Sequence, residues 1–106
     1  MYNINVYSYC DGGLRLRYSN KSESHEITVD SKKDLVDVDK VLIDPFIVQN
    51  GLIRILKKAK VIREIIGMTN YGTVEVPVAK INMGKLREFD KLGVKKYLEE
   101  RMGVYR

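Results

Sequence analysis

Residues 2–18 constrain the fold more than any other stretch of the chain. Tyr2, Ile4 and Val6 alternate with Asn3, Asn5 and Tyr7, the two-residue period of a half-buried strand. Asp11-Gly12-Gly13 follows, and glycine supplies the positive φ that a tight hairpin turn demands. Leu14, Leu16 and Tyr18 then alternate with Arg15 and Arg17, so the chain returns as a second strand. The run SNKSES reads as a polar turn, and Ile27 and Val29 mark a third strand in HEITVD. Together these predict an antiparallel meander.

Beyond the meander the pattern mixes both periods. Ser31 to Lys40 reads as a loop anchored by Leu35, Val36 and Val38, leading into a short strand from Val41 to Ile43. Two helix starts then compete, Asp44-Pro45 and Asn50-Gly51. Glycine inside a helix costs about 1 kcal/mol relative to alanine, which favours the later start with Asn50 as the cap. Leu52, Ile53, Ile55, Leu56 and Ala59 would face the core. Val61 to Ile66 reads as a short strand ended by Gly67, with MTNYG as a turn before the strand Thr73 to Ile81. On that strand Val74, Val76, Val78 and Lys80 share one face, and Pro77 belongs at an edge or a bulge. Asn82 caps a last helix, about Lys85 to Met102, with Leu86, Phe89, Val94, Tyr97, Leu98 and Met102 as its apolar stripe. Gly93 is a point where that helix can bend or divide, and Gly103 a stop. The order βββ(β)αββα predicts an α+β fold, an antiparallel or mixed β-sheet with one basic helix packed on it and a C-terminal helix.

A chain of 106 residues forms one domain with one core. Within it, residues 82–106 read as a C-terminal helical extension. No apolar run approaches the roughly 20 residues of a membrane helix. The opening MYNINVYSYC lacks the basic and apolar blocks of a signal peptide. Cys10, the single cysteine, has no internal disulfide partner and fits a reducing compartment. The expectation is a soluble cytoplasmic protein that does not engage a membrane.

Charge is unevenly placed. Residues 1–49 hold six Lys/Arg against eight Asp/Glu, a balance of −2, and residues 50–106 hold thirteen against six, a balance of +7. The stretch NGLIRILKKAKVIR concentrates this excess: Arg54, Lys57, Lys58, Lys60 and Arg63, without one carboxylate. The helix dipole accounts for Lys57 and Lys58, by roughly 0.3–1 kcal/mol each, but not for Arg54 and Arg63. This face is therefore read as a binding surface, the alternative being the solvated side of an ordinary helix. A second candidate surface is the first hairpin, where Tyr7 and Tyr9 would share a face with Arg15 and Arg17 close by, a combination that serves cross-strand packing on an exposed sheet face first, then protein hot spots, then stacking on bases. Lys91, Lys95 and Lys96 of the last helix stand third.

The residues argue against several chemistries. His25 and Cys10 are single, and a structural zinc site needs four such ligands. Asp30, Asp34, Asp37, Asp39 and Asp44 are close in sequence but lack the glycine and terminal glutamate of an EF-hand loop. Gly12-Gly13 opens no helix, so it is not a phosphate loop. No catalytic residue, metal or cofactor is expected.

The succession GGLRLRY, EITVD, VLIDPFIVQNGLIRILKKAKVIREI and YGTVEVPVAKI resembles a family of small phage and mobile-element proteins found mostly in Gram-positive bacteria. That family shows an Asn-Gly-type hairpin, a "TVNL"-like strand, an Asn-x-Gly helix start and a final valine-rich strand. These features fall on Gly12-Gly13, Thr28-Val29, Asn50-Gly51 and Val74 to Ile81, and the resemblance covers roughly residues 4–81. It implies an accessory role in the host cell cytoplasm: a non-enzymatic protein that binds and blocks a host defence protein or ribonucleoprotein complex, as anti-CRISPR proteins do. The alternative is a small basic nucleic-acid-binding accessory protein.

Overall fold

The computed structural model describes residues 2–10, 12–30 and 37–103. Among these residues the fold is α+β, with two antiparallel sheets and four helices. Strands β1 (Tyr2–Ser8), β2 (Leu14–Asn20) and β3 (Ser24–Glu26) form the expected meander, with Ile4 opposite Tyr18 and Val6 opposite Leu16. Ile4, Val6, Leu14, Leu16 and Tyr18 are buried on one face, so the alternation does what its period requires. Gly12 takes a φ of 92° in the turn, a conformation that glycine adopts without steric cost.

HEITVD is not one strand. Its first part is β3, and Thr28–Val29 is a separate strand, β4, in the second sheet. Ile27 joins the two sheets: its N–H donates to the Leu16 carbonyl at 2.9 Å, and its carbonyl accepts from the Asp44 N–H at 2.9 Å. Ile27 and Thr28 are both buried, because the chain changes sheets between them. Strand β5 (Lys40–Ile43) pairs with β4 on one side. Leu35, Val36 and Asp34 of the preceding loop lie outside the described residues, and Val38 is exposed.

Both candidate helix starts are used. Asp44 caps α1 (Pro45–Gln49), its Oδ1 accepting the Phe46 N–H at 2.9 Å, with Pro45 at the first helical position. Gly51, at a φ of 81°, turns the chain out of α1 and into α2 (Leu52–Lys58). Glycine thus stands between two helices, where the penalty for an interior glycine does not arise. Asn50, expected as the N-cap of α2, is instead the C-cap of α1; Gly51 takes the N-cap position, and Asn50 Oδ1 still accepts the Leu52 N–H at 3.0 Å across the junction. Leu52 and Leu56 are buried, with Ile53 and Ala59 packed beside them, but Ile55 is 38% exposed and is not a core residue. On a helix of seven residues, Ile55 falls beyond the edge of the buried stripe.

The last two strands form a long hairpin. Strand β6 runs from Ile62 to Tyr71, through Gly67 rather than ending there, so MTNY is strand and not turn. Gly67 sits at one of two register shifts, Ile65/Gly67, where a bulge tolerates it. Strand β7 (Val74–Ile81) lies between β5 and β6, giving the order β4-β5-β7-β6. Pairing of β5 with β7 stops at Leu42 opposite Val78. Pro77 therefore lies where β7 pairs only with β6, in keeping with its missing N–H. Ala79 and Ile81 join the main core, so it takes the face opposite Val74, Val76, Val78 and Lys80, although Val76 on that other face is itself fully buried.

Asn82 caps α3 (Met83–Phe89) by accepting the Lys85 N–H at 3.1 Å. The expected single helix divides at Asp90, not at Gly93, and α4 (Lys91–Gly103) follows. Asp90 explains both residues. Its Oδ1 accepts the Gly93 N–H at 2.9 Å, capping α4, and its Oδ2 accepts the Val6 N–H of β1 at 2.9 Å. A Cβ on Gly93 would come within 2.6 Å of the Val6 carbonyl oxygen, so glycine is needed for this close approach. Leu86, Val94 and Tyr97 are buried, Phe89 and Leu98 pack against them, and the side chain of Met102 lies outside what is described. One core cluster draws on both sheets and all four helices, so the segment 82–106, through its described part, is integral to the core. Among the described residues no helix is long and apolar enough to cross a membrane.

Candidate partner-binding surface

Two surfaces compete on sequence, and their hydrogen bonds separate them. On the first hairpin, Arg15 and Arg17 project from the outer face of β2, and β3 brings Glu26 directly opposite Arg17. Arg15 donates from Nε and Nη2 to the two carboxylate oxygens of Glu26 at 2.9 and 3.1 Å, a bidentate fork. This bond to Glu26 raises the Arg15 pKa further above its already high ordinary value. Arg17 Nε lies 3.5 Å from the same carboxylate, an ion-pair contact, and its Nη2 donates to Ser24 Oγ at 3.2 Å. One carboxylate thus neutralises both arginines in part.

The tyrosines are also engaged. The Arg15 guanidinium lies over the Tyr7 ring at 5.5 Å. Tyr9 does not share the open face with Tyr7. It lies just past β1, where its hydroxyl is 3.0 Å from both the carbonyl and Oγ1 of Thr28. Partial burial is the main reason that its pKa is raised. Thr28 Oγ1 also accepts the Leu16 N–H at 3.2 Å, so Tyr9 and Thr28 form part of the seam between the sheets. The expected aromatic and cationic surface of Tyr7, Tyr9, Arg15 and Arg17 is largely turned to internal use.

Around α2 the opposite holds. Arg54, Lys57 and Lys58 are exposed on the helix, Lys60 follows its cap, and Arg63 is exposed at the first bulge of β6. None of the five has an ion-pair partner among the described residues. Leu52 and Leu56 hold the inner face of the helix in the core, which fixes the cations on the outside.

The helix ends in a way that sequence reading missed. The Val61 N–H donates to the Leu56 carbonyl and the Lys60 N–H to the Lys57 carbonyl, both at 3.0 Å. This pair of bonds is a Schellman motif, whose turning residue is usually glycine. Here it is Lys60, at a φ of 64°, the one non-glycine residue with positive φ among those described. A side chain in this conformation costs roughly 1–2 kcal/mol. The cue in the sequence was the junction Lys60-Val61, where helical spacing gives way to a β-branched run.

A strip of rings runs from α3 across the meander to α1. Phe89 stacks on Tyr2 at 5.8 Å, Tyr2 on Tyr18 at 5.4 Å and Tyr18 on His25 at 6.4 Å, with Phe46 of α1 tilted against His25 at 5.1 Å. His25 Nε2 is 3.3 Å from Glu23. Cys10 is an exposed free thiol.

The other clusters flagged by sequence are dispersed by the fold. Asp44 caps α1, and Asp37 pairs with Lys40 at 2.7 Å, which lowers its pKa. Asp34 lies outside the described residues. Among the described residues no three His, Cys, Asp or Glu side chains gather into a metal-binding group. Lys91, Lys95 and Lys96 are exposed on α4, where Lys91 and Lys95 line an open cleft with Arg87, Leu98 and Glu99. No protein-family model, curated protein or solved structure matches this chain.

Proposed function

We propose that this chain is a non-enzymatic binding protein that presents the α2 face to an acidic partner. In the phage or mobile-element setting that the sequence resemblance implies, the partner is a host defence complex, which the protein blocks by occupying it. The observation that carries this reading is the contrast in charge pairing. Arg54, Lys57, Lys58, Lys60 and Arg63 have no ion pair among the described residues, whereas Arg15 and Arg17 share Glu26, which neutralises them in part. Desolvating an unpaired surface cation is repaid when a partner carboxylate or phosphate meets it.

Expression in a host with an active CRISPR or other phage defence should restore plaque formation by a targeted phage. Lys57→Glu with Lys58→Glu should remove that rescue while the protein still accumulates and folds. Failure to rescue across a broad panel of defence systems sinks the defence reading.

Nucleic acid is the second reading, favoured by Phe46, which is 48% exposed on the helix preceding α2 and offers a ring for base stacking. Salt separates the two. Binding to DNA or RNA through these cations should weaken steeply as salt rises, because counterions are released. Lack of any mobility shift with single- or double-stranded DNA or RNA at low salt removes the nucleic-acid reading.

A further inference from the structure

Among the described residues the two sheets end in β1, β3, β4 and β6, and three of these edges are short or covered. Strand β1 is sealed by the α3–α4 junction, where Asp90 accepts the Val6 N–H and α4 comes so near the Val6 carbonyl that only glycine fits at position 93. Strands β3 and β4 are three and two residues long. Such edges offer little to a further strand. Strand β6 differs. It is ten residues long, pairs only with β7, and has no described strand on its outer side. Both register shifts fall in its first half, and from Gly67 to Tyr71 it pairs residue for residue with β7. Opposite Met68 stands Pro77, which has no N–H, so these two cannot exchange the double bonds of a hydrogen-bonded pair. By the antiparallel alternation, the N–H and C=O of Met68 and of Asn70 therefore point away from β7 to the open edge. The Met68 side chain is 55% exposed.

We propose that this edge pairs with the same edge of a second copy, giving a symmetric antiparallel dimer centred on Thr69. In that register Met68 of each copy stands opposite Asn70 of the other, so every outward N–H and C=O of the two residues finds its complement. Thr69 meets its own copy in the close, non-hydrogen-bonded kind of pair, where threonines favour one another. The Met68 side chains reach each other on the diagonal and cover apolar surface that is open in the single chain. A shift of one residue sets outward groups against inward ones, and centring on Met68 brings the bulge at Ile65/Gly67 into the ladder. The strand is thus complementary to itself about Thr69. Charge points to the same occupant. Residues 65–74, the outer half of β6 with its turn, carry no charged side chain in a chain of net charge +5. A strongly charged partner strand finds no counter-charge there, whereas two copies meet along this stretch without setting like charges opposite one another. The proposal stands apart from the reading of α2.

Sedimentation velocity of the full chain, from about 1 μM to about 1 mM, tests this. A species of twice the 12.2 kDa chain should grow with concentration. Salt should favour it by screening the repulsion between two chains of charge +5, the reverse of its effect on binding through the α2 cations. Met68→Lys, an exposed change that leaves the core alone, sets like charges on the diagonal and should leave monomer throughout that range. Lys57→Glu with Lys58→Glu should not remove the dimer. In a Cys10→Ser background, Thr69→Cys should form a disulfide between copies under mild oxidation, because a residue on the two-fold axis meets itself. Monomer at every concentration overturns the choice of a second copy. A dimer that survives Met68→Lys overturns the β6 edge, and a dimer without the Thr69→Cys cross-link overturns the register. Loss of the dimer as salt rises overturns the uncharged contact, and growth past two copies overturns the closed pairing.

Discussion

The β1–β2 hairpin and the α2 segment are both rich in cations, and both rest on the same core through fully buried leucines, Leu16 and Leu56. They differ in what their charges meet. Register places Glu26 beside Arg15 and Arg17, so the hairpin's cations serve its own sheet. No strand or helix brings a carboxylate to Arg54, Lys57 or Lys58 among the described residues. Counting charges along the chain ranks the two regions as rivals. Counting ion pairs in the fold makes one a structural seam and the other an open surface.

The largest effects should show that the two regions are anchored alike. Leu56→Ala and Leu16→Ala should each cost about 2–5 kcal/mol, because each removes a fully buried side chain and leaves a cavity. Chemical denaturation of both variants measures this, and a clear gap between them would break the assumed symmetry of support.

Smaller effects should separate the regions. Reversing Lys57 and Lys58 to glutamate should change stability by no more than about 1 kcal/mol, allowing for the helix dipole, yet abolish partner binding. Replacing Arg15 and Arg17 with glutamine should also cost about 1 kcal/mol or less, since these pairs are solvent-screened, and should leave binding intact. The opposite outcome, binding lost with the arginines and kept with the lysine reversals, would exchange the roles assigned here. The smallest effect has the opposite sign. Lys60→Gly should stabilise the protein by about 1 kcal/mol, since glycine accepts the left-handed cap, while weakening binding. A thermal melt and a partner-binding assay together read both halves of that prediction.

The parts of the fold that sequence disclosed are those governed by local physics. The period of two in Tyr2 to Val6 and Leu14 to Tyr18, the glycine turn and the cap at Asn82 all follow from neighbours a few residues away. What it hid depended on distant partners. Ile27 looks like the middle of a strand because nothing nearby reveals that Leu16 claims its N–H and Asp44 its carbonyl. Gly67 looks like a stop because a bulge in a paired strand has no local signature. Asp90 looks like one more polar helix residue until Val6 is placed beside it. The candidate site divides in the same way. Exposure of Arg54, Lys57 and Lys58 could be read from the helical period, but the sequestration of Arg15 and Arg17 required the β2–β3 register.

The bond from Asp90 to the Val6 N–H spans 84 positions of the chain, and it has a consequence in time rather than in space. On the ribosome, β1 emerges well before α3, and its Val6 amide gains this partner only after α3 has been made and Asp90 is free of the exit tunnel. Tyr97 of α4 likewise donates its hydroxyl to the Val38 carbonyl across 59 positions. Contacts of such long sequence separation slow folding, because the closure entropy of the intervening chain must be met before they form. The meander can pair strand to strand early, but its helix-covered face stays wet until synthesis has passed α4. During that interval the nascent protein exposes Ile4 and Leu16 to chaperones and proteases alike. A slower docking step would lengthen that interval, in which transiently exposed apolar surface favours aggregation.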